Sequence, residues 1–193
     1  MSNEPGGGQF FPAAYNCAFD VVPGVTIGTV FATDDPSGEG RIRVQFSLKQ
    51  GQILSDWVQI LSIYAGPNAG AFFLPKKDDA VLLAFADGDP SMPYVLGFLW
   101  NGVQKPPVEQ AKQQDVRVIK TRGGKTLTFD DSAQGNITII DNNNNKIEID
   151  TANNSINLNS TGNITITASK NVTISGENVV VQNKVSPLVG DTY

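Results

Sequence analysis

The chain has 193 residues, a net charge of −5, one cysteine and no histidine. The acidic balance argues against a nucleic-acid partner, because no basic face is available to neutralise phosphates. Without histidine the chain lacks the commonest general base and the commonest transition-metal ligand. We therefore expect no enzyme activity, no metal and no cofactor.

The localisation of the protein is predicted from the lack of a membrane-spanning segment and of a secretory leader in the sequence. The sequence has no run of 18 apolar residues, so no helix of the usual kind is expected to span a membrane. The N-terminus has an acid and three glycines where a secretory leader needs a basic end and an apolar run. We expect the protein to be synthesised in the bacterial cytoplasm and kept there unless a non-Sec route moves it.

Residues 1–20 form a glycine-rich arm followed by irregularly spaced aromatic residues, which are Phe10, Phe11, Tyr15 and Phe19. Two interpretations are open. Aromatic side chains in a loose arm can anchor on another subunit, or they can cover the domain that comes next in the chain.

Residues 21–102 are typical of a small all-β domain. The alternation of apolar and polar residues, with turn residues between, predicts five strands at Val25–Ala32, Arg41–Ser47, Asp56–Ile63, Ala80–Ala86 and Tyr94–Trp100. In the second of these, Ile42, Val44 and Phe46 are expected to point inward. Five short strands in one segment favour a Greek-key barrel of the OB type, because closure removes open edges.

Residues 103–129 are predicted to be a linker and a collar. The first part is polar and contains prolines, and the second part predicts a strand pair at Val116–Ile119 and Lys125–Phe129. The linker is too short to hold an inserted enzyme domain.

Residues 130–184 contain a repeat. Its units begin at positions spaced by ten, nine, eight and eight residues: Ile137, Ile147, Ile156, Ile164 and Val172. Each unit has two apolar residues on one side of a short strand, and the full set is Ile137, Ile139, Ile147, Ile149, Ile156, Leu158, Ile164, Ile166, Val172 and Ile174.

Two aliphatic side chains per unit barely offset the backbone entropy lost on ordering that unit. The apolar stripe must therefore meet other stripes, either in one coiled chain or between several chains. The short strands favour three intertwined chains, a triple-stranded β-helix with these residues as the trimer core.

The barrel segment resembles the spike family of phage baseplates, which includes the gpV-type tail spikes and the VgrG-type spikes of type VI secretion. The matching motifs are Arg41–Val44, Trp57-Val58, Gly70–Pro75, Gly88–Pro93 and Gly97–Gly102. One departure is visible, because the usual Gly-Asp-Glu-Val before the fourth strand is here Asp78-Asp79-Ala80-Val81. The repeat after the barrel segment is similar in kind to the trimeric β-helix of that family.

This resemblance implies an all-β homotrimer that is the central, membrane-piercing spike of a contractile phage tail or tail-like injection particle. It implies a baseplate hub as partner, with Phe10, Phe11, Tyr15 and Phe19 as docking candidates, and a target cell envelope. Residues 185–193 break the repeat and are expected to form the tip, with Pro187, Leu188, Val189 and Tyr193 as tip residues. A PAAR-type tip protein is a further implied partner, while the iron-binding tip of some relatives is excluded by the lack of histidine.

Other chemistry has weaker support in the sequence. Asp87 and Asp89 resemble paired carboxylates, but a metal-free turn explains them better because no further acid follows at the spacing of a calcium loop. The outward threonines of the repeat invite an ice- or glycan-binding interpretation, but Glu148 and Asn157 interrupt their rows. The main alternative function is a monomeric OB and β-solenoid binding module for a glycan or a protein.

Overall fold

A computed structural model of the chain describes residues 22–49 and 51–182. The chain divides into two compact units, Met1–Pro106 and Pro107–Tyr193, and the division falls inside the predicted linker. The predicted docking residues (Phe10, Phe11, Tyr15, Phe19) and tip residues (Pro187, Leu188, Val189, Tyr193) lie outside the described residues. Within the described ranges, no helix has the length and apolar character needed to cross a membrane.

The first unit is built on one antiparallel sheet. Its strands are β1 (Val25–Ala32), β2 (Arg43–Leu48), β3 (Gly51–Leu54), β6 (Ala80–Phe85) and β7 (Pro93–Phe98), and a small hairpin is formed by β4 (Ala65–Gly66) and β5 (Ala69–Gly70). The five-stranded sheet has the order β3-β2-β1-β6-β7. Four of the five predicted strands are confirmed within one or two residues at each end.

The predicted strand Asp56–Ile63 is wrong as a continuous strand. This segment makes two isolated bridges, an antiparallel one between Val58 and Ile42 and a parallel one between Ile60 and Val95. The amide of Val58 donates to the carbonyl of Ile42 at 2.8 Å, and the amide of Val95 donates to the carbonyl of Gln59 at 3.0 Å. Because the segment thus touches both β7 and the residue before β2, it closes the sheet into a barrel.

The core of the barrel comes from the inward side of these strands. Ile42 and Val44 have no exposed surface and Phe46 has 2 % exposed, so their predicted orientation is confirmed. Phe46 meets Phe85 with ring centroids 5.4 Å apart. The hydroxyl of Ser55, the buried polar residue of this region, accepts a hydrogen bond from the amide of Val44 at 2.9 Å, which satisfies both groups.

The second unit is an antiparallel meander. Its strands are β8 (Val116–Lys120), β9 (Thr126–Asp130), β10 (Asn136–Ile140), β11 (Lys146–Asp150) and β12 (Ser155–Asn159), in the order β12-β11-β10-β9-β8. The predicted pair at Val116–Ile119 and Lys125–Phe129 is confirmed as β8 and β9, which pair antiparallel.

The repeat changes its structure part-way. The units that begin at Ile137, Ile147 and Ile156 are strands that pair with their neighbours in the same chain. The prediction of strands at Ile164 and Val172 is not met in the described segment 160–182, which forms none. The change coincides with the step from spacings of ten and nine to a spacing of eight. The longer connections allow hairpins, whereas the later units pair with no strand in the part of the chain that the structure describes.

Candidate assembly surfaces

One side of the second unit's sheet is almost wholly apolar. Cross-strand pairing aligns its side chains in two rows: Arg117, Phe129, Ile137, Ile149 and Ile156 in the first, and Ile119, Leu127, Ile139, Ile147 and Leu158 in the second. We call these residues the apolar face. Arg117 is the exception among them, and it lies on the edge strand.

The apolar face is open to solvent. Leu127 is half-buried, and the other eight apolar side chains range from 38 % exposed at Ile137 to 70 % exposed at Ile156. The opposite side of the sheet is polar, with a row formed by Thr128, Thr138, Glu148 and Asn157 after Val118. Since fully burying one such aliphatic side chain is worth about 1.5–3 kcal/mol, leaving all of them in water is unfavourable. Contiguous exposed apolar patches mark interaction surfaces.

Six of the ten predicted trimer-core residues lie on the apolar face, and these are Ile137, Ile139, Ile147, Ile149, Ile156 and Leu158. The other four, Ile164, Ile166, Val172 and Ile174, are exposed in a segment without strands. The sequence alone did not show that Phe129, Leu127 and Ile119 extend the same surface, although their alternation with polar residues was available to find them.

The turns between these strands are fixed by carboxylates. The Asp141 carboxylate accepts hydrogen bonds from the side-chain amide of Asn145 at 2.8 Å and the backbone amide of Asn143 at 2.8 Å. Asp150 is held in the same way by the side-chain and backbone amides of Asn153. These hydrogen bonds, the side-chain ones first, lower the pKa of both carboxyl groups. Both carboxylates therefore keep their charge, and with it these contacts, to a lower pH than an ordinary aspartate would.

The residues that follow β12 are hydrogen-bonded to the turn between β10 and β11. The side-chain oxygen of Asn145 accepts hydrogen bonds from the amide of Thr161 at 3.0 Å and from the hydroxyl of Ser160 at 3.1 Å. This contact fixes where the chain leaves the sheet, directly before the units that form no strand.

The barrel presents a second apolar surface, a groove with a volume of about 1160 Å³. One side is the outward face of β7, with Tyr94, Leu96 and Phe98, and the other side is the segment 59–73, which includes Ile63, Tyr64, Phe72 and Phe73. We call this the barrel groove. Ile63 is 93 % exposed and Phe72 is 75 % exposed. Of the described residues that line it, Glu39 is the one with a charge.

The loop side of the barrel groove is held in place by hydrogen bonds. The amide of Ala71 donates to the carbonyl of Tyr64 at 3.1 Å, and the hydroxyl of Ser62 donates to the carbonyl of Ala71 at 2.7 Å. Asn68 has a φ of 53° in the turn between β4 and β5, a conformation that asparagine tolerates better than most residues. These contacts hold the backbone on the loop side of the barrel groove in place.

The other polar residues considered from the sequence lie in turns. The Asp89 carboxylate accepts a hydrogen bond from the amide of Ser91 at 2.8 Å, and that contact lowers the pKa of Asp89. Asp87 is exposed, with a φ of 51°. Over residues 22–49 and 51–182, no three acidic or cysteine side chains gather as metal ligands would.

The closed barrel of short strands resembles a known family of domains in its sequence. The family described as the type VI secretion system/phage-baseplate injector OB domain matches residues 26–100. These residues include nearly all of the barrel strands and are similar to an injector OB domain. The resemblance to the spike family that the sequence motifs indicated is confirmed.

Three curated relatives illustrate the similarity. The type VI secretion system spike protein VgrG1c of Pseudomonas aeruginosa is 26 % identical over 150 residues, which is 65 % of this chain and 21 % of the relative. The spike protein VgrG3 of Vibrio cholerae is 27 % identical over 133 residues, 61 % of this chain and 13 % of the relative. The actin cross-linking toxin VgrG1 of Vibrio cholerae is 27 % identical over 128 residues, 58 % of this chain and 11 % of the relative.

The chain thus spans about a fifth or less of the length of these relatives. Two of the three are spike proteins by name, and the similarity supports a structural role of the baseplate or spike type for this chain.

Proposed function

We propose that the chain is the central spike of a contractile phage tail or tail-like injection particle, assembled as a homotrimer. The observation that carries the proposal is the apolar face, a surface of nine apolar side chains in two rows that is open to solvent in the same chain as a barrel similar to an injector OB domain. In the proposed trimer, the apolar faces of three chains pack against one another and enclose a common core.

The trimer has two parts. Residues 116–159 supply one antiparallel sheet from each chain, which differs from the intertwined arrangement that the sequence predicted for this part. Residues 160–182 keep the strand pattern and pair with no strand among the described residues of their own chain, so we assign their pairing to the two sister chains. Ile164, Ile166, Val172 and Ile174 then lie in the core of a triple-stranded β-helix.

The proposed mechanism is mechanical. Ladders of hydrogen bonds between closed strands distribute an axial load over many bonds and leave few open edges. The chain is low in charge, with 17 % charged residues, so repulsion between three copies is small. The baseplate hub binds the N-terminal end, residues 185–193 form the tip with or without a PAAR-type protein, and the target is a cell envelope. No catalytic step is part of this function.

The alternative, a monomeric binding module for a glycan or a protein, is favoured by one observation, the barrel groove. It also requires a single-chain solenoid. The described residues of the second unit instead form an open antiparallel sheet whose apolar face is uncovered. The spike is therefore the better-supported function.

Sedimentation and native mass measurement of the purified chain test the proposal. The expected result is a trimer at micromolar concentration. Ile139→Lys should yield monomers because it places a charge in the core, whereas Thr138→Lys, one residue away on the polar side and opposite Glu148, should stay trimeric. A monomeric wild type, or an Ile139→Lys variant that remains trimeric, would overturn the proposal.

A further inference from the structure

The barrel groove is not accounted for by the core of the proposed trimer, which uses the second unit. It exceeds the roughly 300–1,000 Å³ of pockets that hold one drug-sized ligand, and its lining is aromatic and aliphatic with one charged residue, Glu39, among the described residues. Such a surface suits several apolar side chains from a peptide segment better than one polar ligand.

The position of Val22, the first described residue, indicates which peptide segment lies near the groove. Val22 packs against the barrel core, and its amide donates to the carbonyl of Gly88 at 2.9 Å. Gly88 ends the short turn after β6, and β7 begins five residues later at Pro93. Val22 is therefore held next to the strand whose outward residues line one side of the groove.

The preceding sequence matches the groove in chemistry and in reach. Residues 5–19 contain no charged side chain, and they include Phe10, Phe11, Tyr15 and Phe19. At up to about 3.3–3.6 Å per residue, the chain before Val22 can place Phe19 about 10 Å and Phe10 about 40 Å from the tether. A tether of this length gives the segment a millimolar effective concentration at its own barrel.

We propose that residues 10–19 of the same chain occupy the barrel groove, with the aromatic side chains of this segment packed against Tyr94, Leu96, Phe98 and the 59–73 loop. The aromatic segment then covers its own barrel, and the hub contact of the proposed spike uses other residues of the first unit. This inference concerns a contact within one chain and does not rest on the trimer, so a failure of either proposal leaves the other intact.

Cys17, the single cysteine of the chain, allows a direct test in the full-length protein. Gln59→Cys places a second thiol on the exposed groove lining, and Ala69→Cys is a second groove position. Val25→Cys is the matched control, because it is exposed and lies three residues from the tether but is not among the groove residues. Disulfide formation under oxidised glutathione is followed by mass spectrometry, and tryptophan emission confirms that each variant is folded.

The expected result is an intrachain disulfide from Cys17 to a groove position that forms about tenfold faster than the one to Val25→Cys. Replacing Phe10, Phe11, Tyr15 and Phe19 by serine should remove this preference and speed hydrogen exchange in residues 61–73. A merely tethered, unbound arm would favour the control position near the tether, and that result would overturn the proposal. Disulfides between chains would assign the groove to a second copy, and an absence of groove cross-links with unchanged exchange would assign it to another partner; each outcome also overturns it.

Discussion

Arg41 lies beside Asp35 and donates two hydrogen bonds of 3.0 Å, from Nε and Nη2, to the two oxygens of its carboxylate. The same carboxylate accepts the backbone amides of Ser37 and Glu39. The side chain of Asp35 is 3 % exposed. This contact organises the loop between β1 and β2 and fixes the chain directly before Ile42 and β2, which contribute Ile42 and Val44 to the core.

The Asp35 contact makes the stability of the barrel depend on pH. The Arg41 guanidinium, followed by the loop amides, holds the pKa of Asp35 well below the value of about 3.9 for a free aspartate. A carboxyl group with a lowered pKa in the folded state stabilises the fold above its unfolded pKa, and this contribution is lost as the pH falls toward the folded pKa. Asp35→Asn should therefore melt below the wild type at pH 7, and the gap should narrow as the pH falls below about 4.

Melting temperatures of both proteins from pH 7 to pH 2, followed by tryptophan emission, give the comparison. Asp34→Asn, at the neighbouring residue, is the control and should change little. A gap between wild type and Asp35→Asn that stays constant over this pH range would contradict the assignment.

The barrel core gives a second prediction. Leu83 has no exposed surface and lies in the core with Val30, Val44 and Phe85. Leu83→Ala should lower the free energy of unfolding by about 2–5 kcal/mol, because it removes buried apolar contacts and leaves a cavity.

Urea unfolding measures this effect, since both tryptophans, Trp57 and Trp100, belong to the first unit. Leu82→Ala, at the half-buried neighbour on the other side of the strand, should cost less, about 1 kcal/mol. If both variants lose the same free energy of unfolding, the assignment of Leu83 to the buried side of β6 and of Leu82 to the outward side is wrong.

Much of the barrel could be predicted because its strands alternate strictly. The period-two pattern identified Ile42, Val44 and Phe46 as inward residues, and these are buried. The same pattern failed for Asp56–Ile63. Alternation of apolar and polar residues predicts which side chains of an extended segment are buried. A continuous strand also requires one partner strand that pairs with its backbone along the whole segment. This segment meets one partner at Val58 and a different one at Ile60.

The repeat shows the same limit more sharply. The units at Ile156 and Ile164 have equivalent patterns, yet the first forms β12 and the second forms no strand. Local sequence does not say which chain provides the partner. The barrel groove was also beyond prediction, because it depends on the proximity of the 59–73 loop to β7 in the closed barrel.

The later repeat units give a third prediction. Ile156→Asp combined with Ile164→Asp should abolish the trimer, because each change puts a carboxylate into the proposed common core. The barrel should stay folded, since neither residue belongs to the first unit. Sedimentation measures the first effect and tryptophan emission the second. Asn157→Ser, on the polar side of β12, serves as the control. A double variant that sediments as a trimer would show that these units are not part of the core.

The turn between β9 and β10 gives the last prediction. A side chain at Gly135 would overlap the carbonyl oxygen of Asp130 and lie 2.8 Å from that of Ser132. The amide of Gly135 also donates to the Ser132 carbonyl at 2.8 Å, so the turn has little room to shift. Gly135→Ala should therefore destabilise the sheet by about 1–3 kcal/mol, as overpacking does elsewhere. Hydrogen exchange in residues 126–140 should become faster.

Gly162→Ala is the matched control for this turn, because a Cβ there would meet nothing within 4 Å. Exchange in β9 and β10 should be the same in Gly162→Ala as in the wild type. If Gly135→Ala leaves exchange unchanged, the turn is looser than its hydrogen bonds indicate. If both variants speed exchange equally, the effect comes from lost glycine flexibility in the second unit as a whole. If only Gly135→Ala speeds exchange, the close approach at Gly135 sets the register of β9 and β10. That register in turn aligns Phe129 with Ile137 on the apolar face.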